Sequence, residues 1–199
     1  MKTILISILF LGLVSCTSHP VNEHLQTDYP AMGTESYNRL IKKYTKQDKK
    51  YQFLDNNYIV KSTILNNKVK KAIINRSSHA LQLPLETVRK KYEEQAKDHL
   101  EKSEFFVSFY APIAEHMRLT TSDLWKVYLD TGGQRFEGVP RKVNGPLASI
   151  RSLYYFHNRF SMPYTVEFKV PMATVEKSDS YLIITGTMGS TRMHFPPMK

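Results

Sequence analysis

From Ser103 onward apolar residues fall at every second position, the period of a strand with one buried face. Phe105, Val107 and Phe109 alternate with Glu104, Phe106 and Ser108. Trp125, Val127 and Leu129 alternate with Lys126, Tyr128 and Asp130, and the series places Trp125 in the core. Asp130-Thr131-Gly132-Gly133 then signals a turn, and Arg135 to Val143 returns as a second strand broken by Gly138 and Pro140. Tyr164, Val166, Phe168 and Val170 repeat the alternation. Tyr181 to Thr185 and Thr191 to Phe195 form a last hairpin around Gly186 to Gly189.

The earlier part of the chain has a longer period. Tyr37, Leu40, Ile41 and Tyr44 lie at i, i+3, i+4 and i+7, which predicts a basic helix over about 34–48. Tyr58 to Leu65 is rich in β-branched residues and reads as a strand. Asn66 or Asn67 caps a helix over about 66–78. Leu83-Pro84 opens another over about 84–102, with Val88, Tyr92, Ala96 and Leu100 recurring every fourth residue. The fold expected is α+β, mainly β. It is an antiparallel immunoglobulin-like or transthyretin-like sandwich of roughly seven strands, with two helices inserted after the first strand and a basic helix in front. Residues 34–199 form one domain.

Thr3 to Val14 fits neither pattern. It is almost wholly apolar behind Lys2, and twelve helical residues rise only about 18 Å against a hydrocarbon core of roughly 30 Å. The run reads as a signal peptide, residues 1–15. Leu13-Val14-Ser15-Cys16 resembles the lipobox of bacterial lipoproteins. The resemblance covers residues 1–16. It implies cleavage before Cys16, two acyl chains on or through its sulfur, and acylation of the new amine. Two or three chains anchor stably where one does not. By the sorting rule of that family, Thr17 implies the outer membrane of a two-membrane envelope, facing the periplasm. Residues 16–33, with Pro20 and Pro30 and no periodicity, read as a tether.

Composition changes this picture little. Cys16 is the one cysteine, so the fold is held by its core alone. The formal charge is +10, about +9 once Lys2 leaves with the signal peptide. Such a balance favours anionic lipid or acidic glycan in an envelope. Nucleic acid is not expected as a partner, since no zinc-finger spacing or RNA-recognition signature is present.

The sequence holds no GxSxG elbow, phosphate-binding glycine loop, GxGxxG or HExxH. Neither a catalytic set nor a metal or cofactor site is expected. Asp123, Asp130 and Glu137 surround the Trp125 hairpin, but nothing in their spacing selects an acid/base pair. The densest segment is 150–164, IRSLYYFHNRFSMPY. Tyr154, Tyr155, Phe156, His157, Arg159 and Phe160 have the composition of a contact surface, and equally that of a cap on the end of the core. Arg39, Lys42, Lys43 and Lys46 on the basic helix are candidate contacts with a membrane surface, the alternative being a solvated face. The expected function is that of a non-enzymatic cell-envelope lipoprotein. It is held on the membrane by covalent lipid and binds an envelope protein or glycan. An envelope hydrolase acting on a glycan or peptide, and a lipid-interacting module, are the alternatives.

Overall fold

The structure, a computed structural model, describes residues 32–52 and 55–198. Cys16, the leader and most of the tether lie outside the described residues.

Thr34–Lys43 forms α1, with Tyr37 and Ile41 fully buried. The helix stops sooner than expected. Its apolar stripe ends at Tyr44, and the polar run beyond offers no face to bury. Thr45–Gln52 instead takes its hydrogen bonds from a neighbouring strand as β1. Thr45 Oγ1 marks the change: it donates to the Ile41 carbonyl at 2.7 Å and meets Thr63 Oγ1 at 2.7 Å. β2 is Asp55–Ile64. Asn66 then caps α2, Asn67–Ala80, its Oδ1 accepting from the Val69 amide at 2.9 Å. Pro84 precedes α3, Leu85–Glu101. Both inserted helices stand where the sequence puts them.

The seam of α3 differs from the sequence pattern. A spacing of four advances about 40° past a full turn at each step, so Leu100 points about 120° away from Val88. Val88 and Gln95 are buried, while Ala96 is exposed and Leu100 is 75 % exposed.

The remaining elements are β3 (Ser103–Tyr110), β4 (Trp125–Thr131), β5 (Gln134–Glu137), β6 (Val139–Lys142), α4 (Leu147–Leu153), β7 (Met162–Phe168), α5 (Met172–Lys177), β8 (Ser180–Gly186) and β9 (Gly189–Phe195). They complete an α+β fold, mainly β, of two antiparallel sheets ordered β1-β2-β3-β7-β6 and β5-β4-β8-β9. Nine strands stand among the described residues where seven were expected. β1 is one addition. The other arises because the segment after Gly133 serves both sheets: β5 pairs with β4, and β6 pairs with β7. Gly138 makes the crossing. A Cβ there would sit 2.5 Å from the Phe168 ring and 2.7 Å from Val166, so only glycine passes. Gly132 and Gly133, at φ 56° and 77°, turn the β4–β5 hairpin.

The sheets face each other across an aromatic core. Trp125, 2 % exposed, meets Tyr58 and Phe109 edge-on at 5.2 and 5.1 Å, and its indole N–H donates to the His116 carbonyl at 2.8 Å. Phe105 of the first sheet meets Phe195 of the second at 5.2 Å. At the open side, Thr191 of β9 donates to the Asp48 carboxylate of β1. β3 is buried on both faces, because a third layer covers the outer face of the first sheet. There α1, α2 and α4 interlock. Tyr37 donates to the Leu153 carbonyl at 3.0 Å, and Arg76 both donates to the Ser152 carbonyl at 2.7 Å and lies 4.6 Å from the Tyr37 ring centroid.

Candidate functional site

The outer face of β1-β2-β3 is only partly covered by helices, and the segment after α4 closes over the rest. Pro146 starts α4 and Tyr154 ends it. Residues 154–161 then run back across the sheet before entering β7. Tyr154 stacks flat on Phe106 of β3, with centroids 3.5 Å apart and planes 1° apart. Burial pushes its hydroxyl pKa far up. His157 drops onto the same strand, with Nδ1 2.8 Å from Ser108 Oγ. Both residues are 3 % exposed. Burial, and then the positive charge of Arg151, hold His157 below the usual histidine range, so it is neutral at pH 7. Asn158 Oδ1 accepts from the Phe160 amide at 2.9 Å and from Ser161 Oγ at 3.3 Å, which closes a tight turn.

This anchoring splits the expected contact surface in two. Tyr154 and His157 are core residues of the outer layer, which corrects their place in a binding surface: two strand residues of matching parity, Phe106 and Ser108, draw them inward. Phe156 is half-buried, tilted against Phe106 at 6.1 Å. Tyr155 is 41 % and Phe160 58 % exposed. Arg159 is exposed, its guanidinium 4.8 Å from the Phe160 centroid.

Between this turn and the sheet runs a groove of about 380 Å³. Gln47 and Lys49 of β1, Ile59 and Lys61 of β2, and Ser108 and Tyr110 of β3 form its floor. Phe156, Asn158, Phe160 and Ser161 form its wall. Lys61 Nζ lies 5.8 Å from the Phe156 centroid. Two lysines and three aromatic rings line the space, and among the described residues no carboxylate does. Lys49 and Lys61 were not singled out by sequence. The alternation of β2 already turns Lys61 away from Val60. Nothing local reveals that residue 49 lies on a strand beside it.

The other candidates have structural partners. Asp130 forms a two-pronged ion pair with Arg135, at 2.7 and 2.9 Å, which holds its carboxyl below the usual range. Glu137 pairs with Lys126 at 2.8 Å. His194 Nε2 lies 2.7 Å from Asp179 and its ring stacks on Tyr181. Among the described residues no three His, Cys, Asp or Glu gather in an arrangement able to hold a metal.

Arg39 pairs with Glu35 at 2.7 Å. Lys42 and Lys43 are exposed at the C-terminal end of α1, where positive charge suits the helix dipole, and Lys46 is half-exposed on β1. None of these four lines the groove. No described helix is long and apolar enough to cross a membrane.

A larger trough of about 720 Å³ lies between α3 and α5. Tyr92, Ala96, Leu100 and Met172 line it, with Lys71, Glu93 and Glu176 supplying charges of both signs. Gln95 donates to Asn67 Oδ1 at 3.0 Å, while its own Oε1 is buried without a hydrogen-bond partner in the protein.

Glu104 stands beside this layer. Burial alone would raise its carboxyl, but Lys70 and Lys102 together hold it below the usual range.

No family model, curated protein or solved structure matches the chain.

Proposed function

We propose that the chain is a non-enzymatic binding module of the bacterial envelope, held on the membrane by lipid on Cys16, and that the groove over β1-β2-β3 takes another envelope component. The supporting observation is the lining: Phe156, Phe160 and Tyr110 beside Lys49 and Lys61, with no opposing carboxylate among the described residues. Exposed aromatic rings at a fixed concave site are the residues that carry most of a binding energy. The lipobox Leu13-Val14-Ser15-Cys16 supports the anchor, and Thr17 an outer-membrane location facing the periplasm. The pair in contact at the groove that a hydrolase could use is Ser108 and His157. Their contact suits a nucleophile and base, but both are 3 % exposed and no described carboxylate is hydrogen-bonded to the imidazole. The pair is better explained as a clip for the turn.

Capture from detergent-solubilised envelopes tests the reading. Wild-type protein retains a component that Phe160→Ala and Lys61→Gln release. Equal capture by all three removes the groove from the explanation. Mass spectrometry of the mature chain tests the anchor: an intact, unacylated leader would refute it.

A second reading, contact with anionic lipid, has the exposed Lys42 and Lys43 in its favour. Protein lacking Cys16 should then bind anionic vesicles and detach as salt rises. Equal binding to neutral vesicles would remove it.

A further inference from the structure

The groove also says what class of molecule fits it, on the reading just given. Lys49 faces Ile59 across the β1–β2 ladder and Gln47 faces Lys61, so Lys49 and Lys61 are diagonal neighbours on one face. Diagonal pairs have Cβ atoms about 7–8 Å apart or somewhat less, close enough for two long side chains to converge on one anion. Neither lysine forms an ion pair among the described residues. An anion placed between them would be attracted by both charges.

The rest of the lining suits a ring with hydroxyl groups. Phe160 is too exposed to be a packing residue, yet its backbone is fixed by the Asn158 turn. It offers an apolar ring at the rim. The Gln47 amide, the Tyr110 hydroxyl and Asn158 Nδ2 have no hydrogen-bond partners among the described residues, and so remain free to bond a ligand. Polar or cationic groups stand on most of the described residues that line the groove, beside the rings of Phe156 and Phe160, which suits a ligand with both hydroxyl groups and an apolar face. An extended peptide fits poorly. The floor is the face of a sheet, so its backbone groups are already paired, and the strand-addition mode is closed to it. The edge beyond it, β1, carries Lys46, Lys49 and Lys50, a charge density that discourages pairing.

We infer that the groove binds an acidic saccharide. A sugar ring lies against Phe160 and Phe156, and its carboxylate or phosphate sits between Lys49 and Lys61.

The full-length protein in detergent is applied to an array of uronate, muramyl and phosphosugar oligosaccharides, their neutral counterparts and polyglutamate. Acidic sugars should bind at least about tenfold more tightly than the neutral ones. Phe160→Ala and Lys61→Gln should each remove about tenfold, with unchanged circular dichroism. The uronate and phosphosugar arms tell the two anions apart. Polyglutamate binding without any acidic sugar overturns the saccharide and leaves the groove as a protein site. Equal binding of charged and neutral sugars overturns the lysine argument. Sugar binding unaffected by either substitution overturns the location, and with it the functional reading above. A blank array overturns the saccharide, while envelope capture still decides the groove.

Discussion

Replacing Ser108 by alanine probes how the turn is held on the sheet. The hydroxyl is its only link to His157 Nδ1, at 2.8 Å, and both groups are buried. Its loss leaves a buried ring nitrogen without a partner, which costs about 1–3 kcal/mol. A chain of this size loses about 2–4 °C of Tm per kcal/mol, so Ser108→Ala should melt about 2–12 °C lower. Acid gives the argument a second dimension. Burial holds His157 below the usual histidine range when folded. The unfolded chain therefore takes up the proton first as pH falls below about 6.5. Stability is full above that value and declines below it, by at most about 1.4 kcal/mol per pH unit for each such histidine. His99 is lowered too, by burial and then by Lys70, and acts in the same sense. Ser108→Ala should keep this slope, because burial rather than the hydrogen bond causes the shift. His157→Gln should flatten it and leave the His99 part. Thermal melts followed by circular dichroism from pH 7.5 to 5 read both effects. An unchanged Tm in Ser108→Ala would refute the clip, and an undiminished slope in His157→Gln would refute burial as the cause of the acid dependence.

Other substitutions test separate parts of the fold. Glu104→Gln leaves Lys70 and Lys102 facing a neutral group in a mostly buried cluster. Removing one partner of a fully buried pair costs about 3–5 kcal/mol, and the partial exposure of both lysines brings this to about 2–4 kcal/mol. Because the folded Glu104 carboxyl titrates below its ordinary value, its contribution is present above about pH 4.5 and fades as pH falls further; the variant's melts should lack that fall. Gly138→Ala forces a methyl group into the Phe168 ring and should cost about 1–3 kcal/mol or more in urea unfolding. Phe160→Ala should change stability by no more than about 0.5 kcal/mol, since the ring is exposed. Cys16→Ser should abolish the acyl mass carried by the protein in mass spectrometry, and an acylated Cys16→Ser chain would count against that cysteine as the site.

The elements whose burial is periodic were legible in the sequence. β4 and β7 could be placed because one face of each is buried at the period of a strand, α2 from its Asn cap, β3 from its apolar alternation although both its faces are buried, and α3 from Pro84 although its buried seam is not the one a spacing of four marks. β1 could not. Its sequence, TKQDKKYQ, is polar on both faces and borders a helix, so only pairing with β2 makes it a strand. Gly138 and Pro140 announced a break, but not that the chain changes sheets there. The aromatic segment was visible as a composition, with its two roles unresolved. Phe106 decides them. It stands on the polar side of an alternating strand, and its partner, Tyr154, is fixed by tertiary packing alone.

That partition is also what makes the groove a credible site. A turn held by nothing but exposed residues would have to be ordered by its ligand, and each immobilised side chain would weaken binding by about 0.5–1.5 kcal/mol. Here Tyr154, His157 and the Asn158 turn fix the backbone on either side of Phe156 and Phe160. The buried residues hold, and on the proposed function the exposed ones between them are left to bind. The two readings of the segment, end-cap and contact surface, are therefore not rivals. The capping residues set the position of the contacting ones, and a substitution at His157 should weaken binding without touching the ligand.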